Sequence, residues 1–286
     1  MVRRDLLSEL VQIYVAQPAT ALWRAVEIEA LLRLGLPEGR GLDLGCGDGK
    51  LTNIILGQTG PRRLVGADPD AAEADAATRS GIYEKVVVAP GNQIPEPDAS
   101  FDFVLSNSVL EHIPELEPVL SEVGRVLRPG GRFLFTVPAP GFHRNLYGSR
   151  MPWVHRSQYL SELDLRLAHH RYPTPSEWQT LCASADLSLD GCLGYLDRNQ
   201  TQRWETFSRY TGGLLYALWG KRQPPIKIQR QLGLRAVQNT TRLPRAIANI
   251  IGGCMALGLP SEGWIWLAET DASCLLVHGT RKVPRD

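Results

Sequence analysis

Residues 41–52 read GLDLGCGDGKLT: a short apolar run, glycines at 45, 47 and 49, then the start of an amphipathic stretch. A glycine-rich turn between a strand and a helix sets backbone N–H groups and the helix N-terminus against a ligand, and glycine lets that ligand approach closely. The spacing discriminates among ligands. Gly45, Gly47 and Gly49 make GxGxG, and Lys50 stands where the dinucleotide fingerprint wants its third glycine. Asp43 lies inside the strand, two residues before the first glycine, where it can meet a cationic amino group but not a phosphate. The stretch predicts a nucleotide-like ligand with a zwitterionic part, and disfavours a pyrophosphate reader.

Around this turn the sequence alternates strand and helix. Strands are predicted at 41–44, 62–68, 83–89, 101–107 and 132–137, with helices from Lys50, over DAAEADAATRSG closing on Gly81, and over 116–127, stopped by Arg128-Pro129-Gly130-Gly131. A later helix at 174–186 has Thr174 as N-cap candidate, Pro175 at its first position and Glu177 three residues on. Strand-like runs follow at 187–195 and 272–280. Strands separated by helices of this length predict an α/β fold, a doubly wound, mostly parallel, seven-stranded Rossmann-like sheet. Residues 5–34 read as two helices broken at Pro18.

Composition bounds the class. Of 286 residues, 43% are hydrophobic and 21% charged, which fits neither a disordered chain nor a membrane bundle. The N-terminus, MVRRDLLSELVQIY, has no apolar signal core with a small-residue cleavage site, so a cytoplasmic protein is expected, with peripheral contact to the inner face of a membrane as an extension. Cys46, Cys182, Cys192, Cys254 and Cys274 show no CxxC spacing and read as free thiols. The uncharged stretch 246–261 is shorter than the roughly 20 apolar residues a span requires.

From the loop onward the chain resembles the class I S-adenosylmethionine-dependent methyltransferases, over most of 41–140. DLGCGDG is similar to the family's first motif, whose loop wraps the methionine part while the leading acid, here Asp43, reaches its amino group. Asp68, ending VGADPD, matches the acid that accepts hydrogen bonds from both ribose hydroxyls, a role suited to a carboxylate facing a diol. PEPDASFDFVLSNSVLEHI (95–113) and EVGRVLRPGGRFLFTVP (122–138) resemble the fourth- and fifth-strand segments. The resemblance implies S-adenosylmethionine as cofactor, held by Asp43, Gly45, Cys46, Gly47, Gly49, Asp68, Pro69, Gly91, Asn92, Ser106 and Asn107. One departure is Pro90, where an aspartate usually contacts the adenine, so that Gly91 and Asn92 or Gln93 must serve instead. Arg24, in the N-terminal helical region, has two readings, contact with the cofactor carboxylate or a surface residue, and the second is favoured.

The resulting organisation is N-terminal helices covering the cofactor site (1–39), the cofactor-binding core (40–138), an insertion near the active site (139–173), a core helix and strand (174–195), a basic and aromatic insertion acting as lid or substrate subdomain (196–270), and a final strand with its tail (271–286). Methyl transfer is an in-line displacement at an activated carbon, so positioning and desolvation supply much of the rate. A base is required only for a protonated nucleophile. His112, just beyond the fourth strand, is the candidate. Relatives that hold a metal there carry an extra acid where this chain has Ser108, so metal independence is expected. His143, Tyr147 and Trp153 are candidates for lining the acceptor pocket.

Charge is unevenly spread. Between Arg198 and Arg245 ten basic residues face a single acid, Glu205, a net +9 that leaves −8 on the rest of the chain. With Trp204, Phe207, Tyr210, Tyr216 and Trp219 among them, 198–245 suits peripheral contact with anionic lipid, and the acceptor is expected to be a small molecule: lipid, lipid-linked or phosphate-bearing. The alternatives are a non-catalytic S-adenosylmethionine-binding regulatory or scaffold protein and, third, a nucleic-acid methyltransferase. Nucleic acid ranks last because no binding module accompanies the charge and the aromatics sit in apolar runs.

Overall fold

The structure, a computed structural model, describes residues 3–14, 17–213, 243–257, 259 and 266–284. Most of the basic segment, from 214 to 242 and including Tyr216 and Trp219, lies outside the described residues. The chain divides into two compact units, one of Leu31–Ala139, Arg171–Leu193 and Cys274–Asp286, the other of Met1–Ala30, Pro140–His170 and Gly194–Ser273.

The first unit is built on a seven-stranded sheet. Its strands are β1 (Arg40–Leu44), β2 (Arg63–Asp68), β3 (Lys85–Val88), β4 (Phe101–Asn107), β5 (Leu127–Pro138), β6 (Leu187–Tyr195) and β7 (Cys274–Arg281), in the order β3-β2-β1-β4-β5-β7-β6. β1 pairs in parallel with β2 and β4, β2 with β3, and β4 with β5, while β7 runs antiparallel to β5. The intervening helices are α3 (Lys50–Thr59), α4 (Ala71–Ser80), α5 (Glu117–Val126) and α8 (Pro175–Ser184). β1 and β4 are buried on both faces, as parallel strands covered by helices must be. Phe101, Phe103, Phe133, Phe135 and Trp178 are each at most 1% exposed and fill the core. Strand order reverses between β1 and β4, and such a reversal opens a crevice at the carboxyl ends of the two strands.

Two local expectations are corrected. The fifth strand begins at Leu127, five residues earlier than the sequence suggests, because Arg128-Pro129-Gly130-Gly131 forms an irregularity within the strand: Phe101 pairs with Leu127, then Phe103 with Arg132. Gly130, at φ 75°, supplies the left-handed residue that lets the strand resume. The third strand starts at Lys85, which leaves Tyr83 in the preceding turn. Thr174 and Glu177 form a reciprocal capping box on α8.

The second unit is helical: α1 (Arg4–Ile13), α2 (Pro18–Leu34, of which residues 31–34 belong to the sheet unit), α6 (Gly141–Asn145), α7 (Arg156–Leu167), α9 (Arg198–Ser208), a π-turn at Arg209–Gly213, and α10 (Arg245–Ala256). The segment 139–173 is thus less irregular than its sequence implies. Trp23, Phe142 and Trp204 meet with ring centroids 5.3–5.5 Å apart in edge-on geometry, and form the centre of this unit. α1 buries Leu6, Leu7 and Leu10, and Gly252 of α10 comes close to Ser8. Arg24 is not the surface residue expected: it donates to the fully buried carboxylate of Glu27 at 2.5 Å.

Candidate active site

β1 ends at Leu44 and α3 begins at Lys50, so the loop has five residues in which to turn. Gly45 (φ 75°), Gly47 (φ 53°) and Gly49 (φ 75°) all take the left-handed conformation that favours glycine. The amides of Gly45 and Cys46 both donate to the Ala67 carbonyl, at 2.8 and 3.1 Å, and fold the loop onto the end of β2. A Cβ on Gly45 would lie 2.5 Å from the Val109 side chain. On Gly47 it would meet nothing nearer than Glu73 at 4.0 Å, so the loop presents bare backbone to open space there. A carboxylate stands at the N-terminus of α3: Asp48 accepts from the Lys50 amide at 3.2 Å and pairs with the Lys50 ammonium at 2.8 Å. A phosphate approaching this helix end would meet a carboxylate, which agrees with the missing third glycine.

Acidic groups surround the loop. Asp43 is 2% exposed, and its Oδ2 accepts from the hydroxyls of Thr52 and Tyr83, each at 2.6 Å. Burial pushes its carboxyl above the ordinary value, against the pull of those two hydrogen bonds. Asp68 accepts from the Gly47 amide through one oxygen and from the Asp70 amide through the other, both at 2.9 Å. Burial raises this carboxyl too, with Glu73 and Asp70 adding to the effect. A site holding several carboxylates disfavoured in their charged form gains from a cationic ligand. Burial likewise raises the Cys46 thiol, whose sulfur lies where a Cβ on Gly66 would come within 2.9 Å of it.

The remaining predicted residues separate by environment. Pro69 and Asn92 are exposed, and Gly91 is half-buried in a turn closed by the Gln93 amide on the Pro90 carbonyl at 3.0 Å. Ser106 is fully buried and gives its one hydroxyl proton to the Leu44 carbonyl at 2.9 Å, so its side chain ties β4 to β1 and has no donor left for a ligand. Asn107 is 8% exposed: its Oδ1 accepts from Thr136 at 3.3 Å, while its buried Nδ2 has no hydrogen-bond partner among the described residues. An orphaned donor at the carboxyl end of a central strand is a place for a ligand to complete. His112 ends a short 3-10 turn and is exposed. Sequence reasoning missed Thr52, Tyr83 and Asp48. Of these only Thr52 left a signal, a polar residue at a buried position of α3.

Residues 42–135 match the family described as "Methyltransferase domain". A protein of Mycolicibacterium smegmatis, named "Probable S-adenosylmethionine-dependent methyltransferase", is 40% identical over 99 residues, 34% of this chain and 37% of the relative. This part of the chain is similar to S-adenosylmethionine-dependent methyltransferases. A ubiquinone biosynthesis O-methyltransferase of Nitrosococcus oceani is 28% identical over 176 residues, 57% of this chain and 69% of its own. The chain spans about half or less of the length of other curated relatives it matches. Among solved structures, the [4+2]-cyclase SpnF is similar in fold at a TM-score of 0.56 and 14% identity, over 98% of this chain and 94% of that one.

The sheet unit's residues fit S-adenosylmethionine. The open backbone at Gly47, the orphaned Asn107 amide and the Asp68 carboxylate, with lone pairs beyond the two amides it already accepts, are complementary to a cationic amino acid joined to a ribose diol. When bound, the cofactor supplies a methyl group activated by its sulfonium charge.

In the helical unit, His143 Nε2 lies 2.9 Å from Asp164 Oδ1, while Tyr147 and Trp153 are 62% and 74% exposed. The organising group here is Glu205, which sequence reasoning counted only as a charge. It is 1% exposed and accepts from the amides of Tyr147 (2.7 Å) and Gly148 (3.1 Å), the Tyr159 hydroxyl (2.5 Å) and Arg209 (3.1 Å). Burial, and then Glu205, push the Tyr159 hydroxyl up to about 12.

Proposed function

We propose that this chain transfers the methyl group of S-adenosylmethionine to a small-molecule acceptor that is a lipid, lipid-linked or phosphate-bearing compound. The observation that carries the reading is the acid-lined, glycine-opened loop between β1 and α3, with the Asp48 carboxylate standing at its helix end. In this reading Asp68 holds the ribose diol, the loop backbone around Gly47 holds the amino-acid part, and Asp43, fixed by Thr52 and Tyr83, supplies negative charge behind the loop. The turn at Gly91 and Asn92 serves the adenine. Positioning and exclusion of water carry much of the rate, and His112 takes the proton where the acceptor arrives protonated. Acceptor binding is assigned to the helical unit's His143, Tyr147 and Trp153, and the net charge of 198–245 supports an anionic acceptor. No described helix is long and apolar enough to cross a membrane.

The test is product formation. Incubation with methyl-labelled S-adenosylmethionine and a total lipid extract is expected to yield S-adenosylhomocysteine and label in the organic phase. A second reading, binding of the cofactor without methyl transfer, is favoured by one observation: the fold is shared with a named cyclase, and fold alone does not determine the reaction. Saturable cofactor binding with no label in lipid or soluble extracts supports that second reading and overturns the first.

A further inference from the structure

Asn199, Gln202, Arg203, Thr206 and Phe207 recur at three- and four-residue spacing along α9 and so share one face of the helix. With Tyr147 they line a groove of about 440 Å³, within the roughly 300–1,000 Å³ of small-molecule sites. The lining offers a guanidinium, two carboxamides, two hydroxyls and two aromatic rings, and no carboxylate. Gln202 lines the groove, and among the described residues its side-chain amide makes no hydrogen bond, which leaves its donors and acceptor available to a ligand. Arg203 directs one N–H to the Met255 carbonyl at 3.1 Å, which fixes the guanidinium and leaves its other donors available. The acids near α9 are engaged elsewhere: Asp197 caps the helix through the Gln200 amide, and Glu205 holds Tyr147, Gly148, Tyr159 and Arg209.

We propose that this groove binds a phosphoester, with Arg203, Gln202 and Asn199 on the phosphate and the rings of Tyr147 and Phe207 against the group that carries it. The loop after Tyr147 bears exposed Met151 (54%) and Trp153 (74%), and Arg150 stacks on the exposed Tyr210 ring at 5.6 Å, a margin suited to a lipid whose chains lie outside the groove. The proposal rests on the acceptor class proposed above for its link to methyl transfer, while binding in the groove is tested separately.

The test titrates the full chain with vesicles of equal parts phosphatidylcholine and phosphatidylglycerol, with vesicles of phosphatidylcholine alone, and with glycerol 3-phosphate. Preference for the phosphatidylglycerol vesicles assigns the site to a lipid headgroup; saturable binding of glycerol 3-phosphate assigns it to a soluble phosphoester. In either arm Arg203→Gln is expected to weaken binding by about tenfold or more. Gln202→Leu, which conserves volume and removes the amide, is expected to weaken it in the same direction. Arg79→Gln is expected to change little, since Arg79 is an exposed residue of α4 in the sheet unit that pairs with Asp75. Binding in neither arm, or equal losses at Arg203 and Arg79, overturns the proposal. Calorimetry with S-adenosylhomocysteine on the same wild-type preparation keeps the two readings apart, because its failure sinks the methyl-transfer account and leaves the groove standing.

Discussion

Asp68 holds the loop to itself with one oxygen and the start of α4 with the other, and both oxygens keep lone pairs for a ligand. Asp68→Ala therefore removes an acceptor of charge-assisted hydrogen bonds as well as a loop tether. Affinity for S-adenosylhomocysteine is expected to fall about tenfold or more by calorimetry, with little change in circular dichroism. Asp43 behaves differently because it is sealed in. Its folded-state pKa is raised by burial, so its contribution to stability is complete below the unfolded carboxylate pKa and is lost as pH rises through the folded value. Asp43→Asn removes this dependence. The wild-type melting temperature should fall relative to that of the variant as pH rises from acid toward neutral, and parallel curves would contradict the assignment. The sequence revealed Asp43, Asp68 and the glycines because a short motif carries them. It concealed Tyr83, forty residues from Asp43, because only the fold brings that hydroxyl to 2.6 Å.

At the level of elements, the site depends on rigid strand ends and well-started helices. The capping box of α8 is remote from the loop, so Thr174→Ala should cost about 1 kcal/mol of stability and leave cofactor affinity unchanged; a lowered affinity would show coupling that the geometry does not contain. Gly130 is a harder constraint. Its φ of 75° lies inside the irregularity of β5, and Gly130→Val should destabilise the chain by about 1–2 kcal/mol, read as a lowered midpoint in urea. Here the sequence misled: Arg128-Pro129-Gly130-Gly131 carries the residues of a helix stop and turn, yet pairing of Leu127 with Phe101 extends the strand through it. Hydrophobic period alone does not reveal where a neighbouring strand continues to supply partners.

Across the whole molecule, the sheet unit was legible because parallel strands leave near-continuous apolar runs and glycine-marked ends. The helical unit was less so. Its order depends on contacts between distant segments, such as Trp23 with Phe142 and Trp204, and Glu205 with Tyr147 and Tyr159. Glu205→Gln should destabilise this unit, because an amide offers a single acceptor oxygen and carries N–H groups toward donors. Earlier loss of helix in α7 and α9 by hydrogen exchange would register it. The central claim is that the β1–α3 loop takes S-adenosylmethionine, and calorimetric titration of the full chain tests it most directly. The account predicts saturable binding of S-adenosylmethionine and S-adenosylhomocysteine, weakened by Asp68→Ala, and no binding of NAD; binding of NAD with no response to S-adenosylmethionine would contradict it.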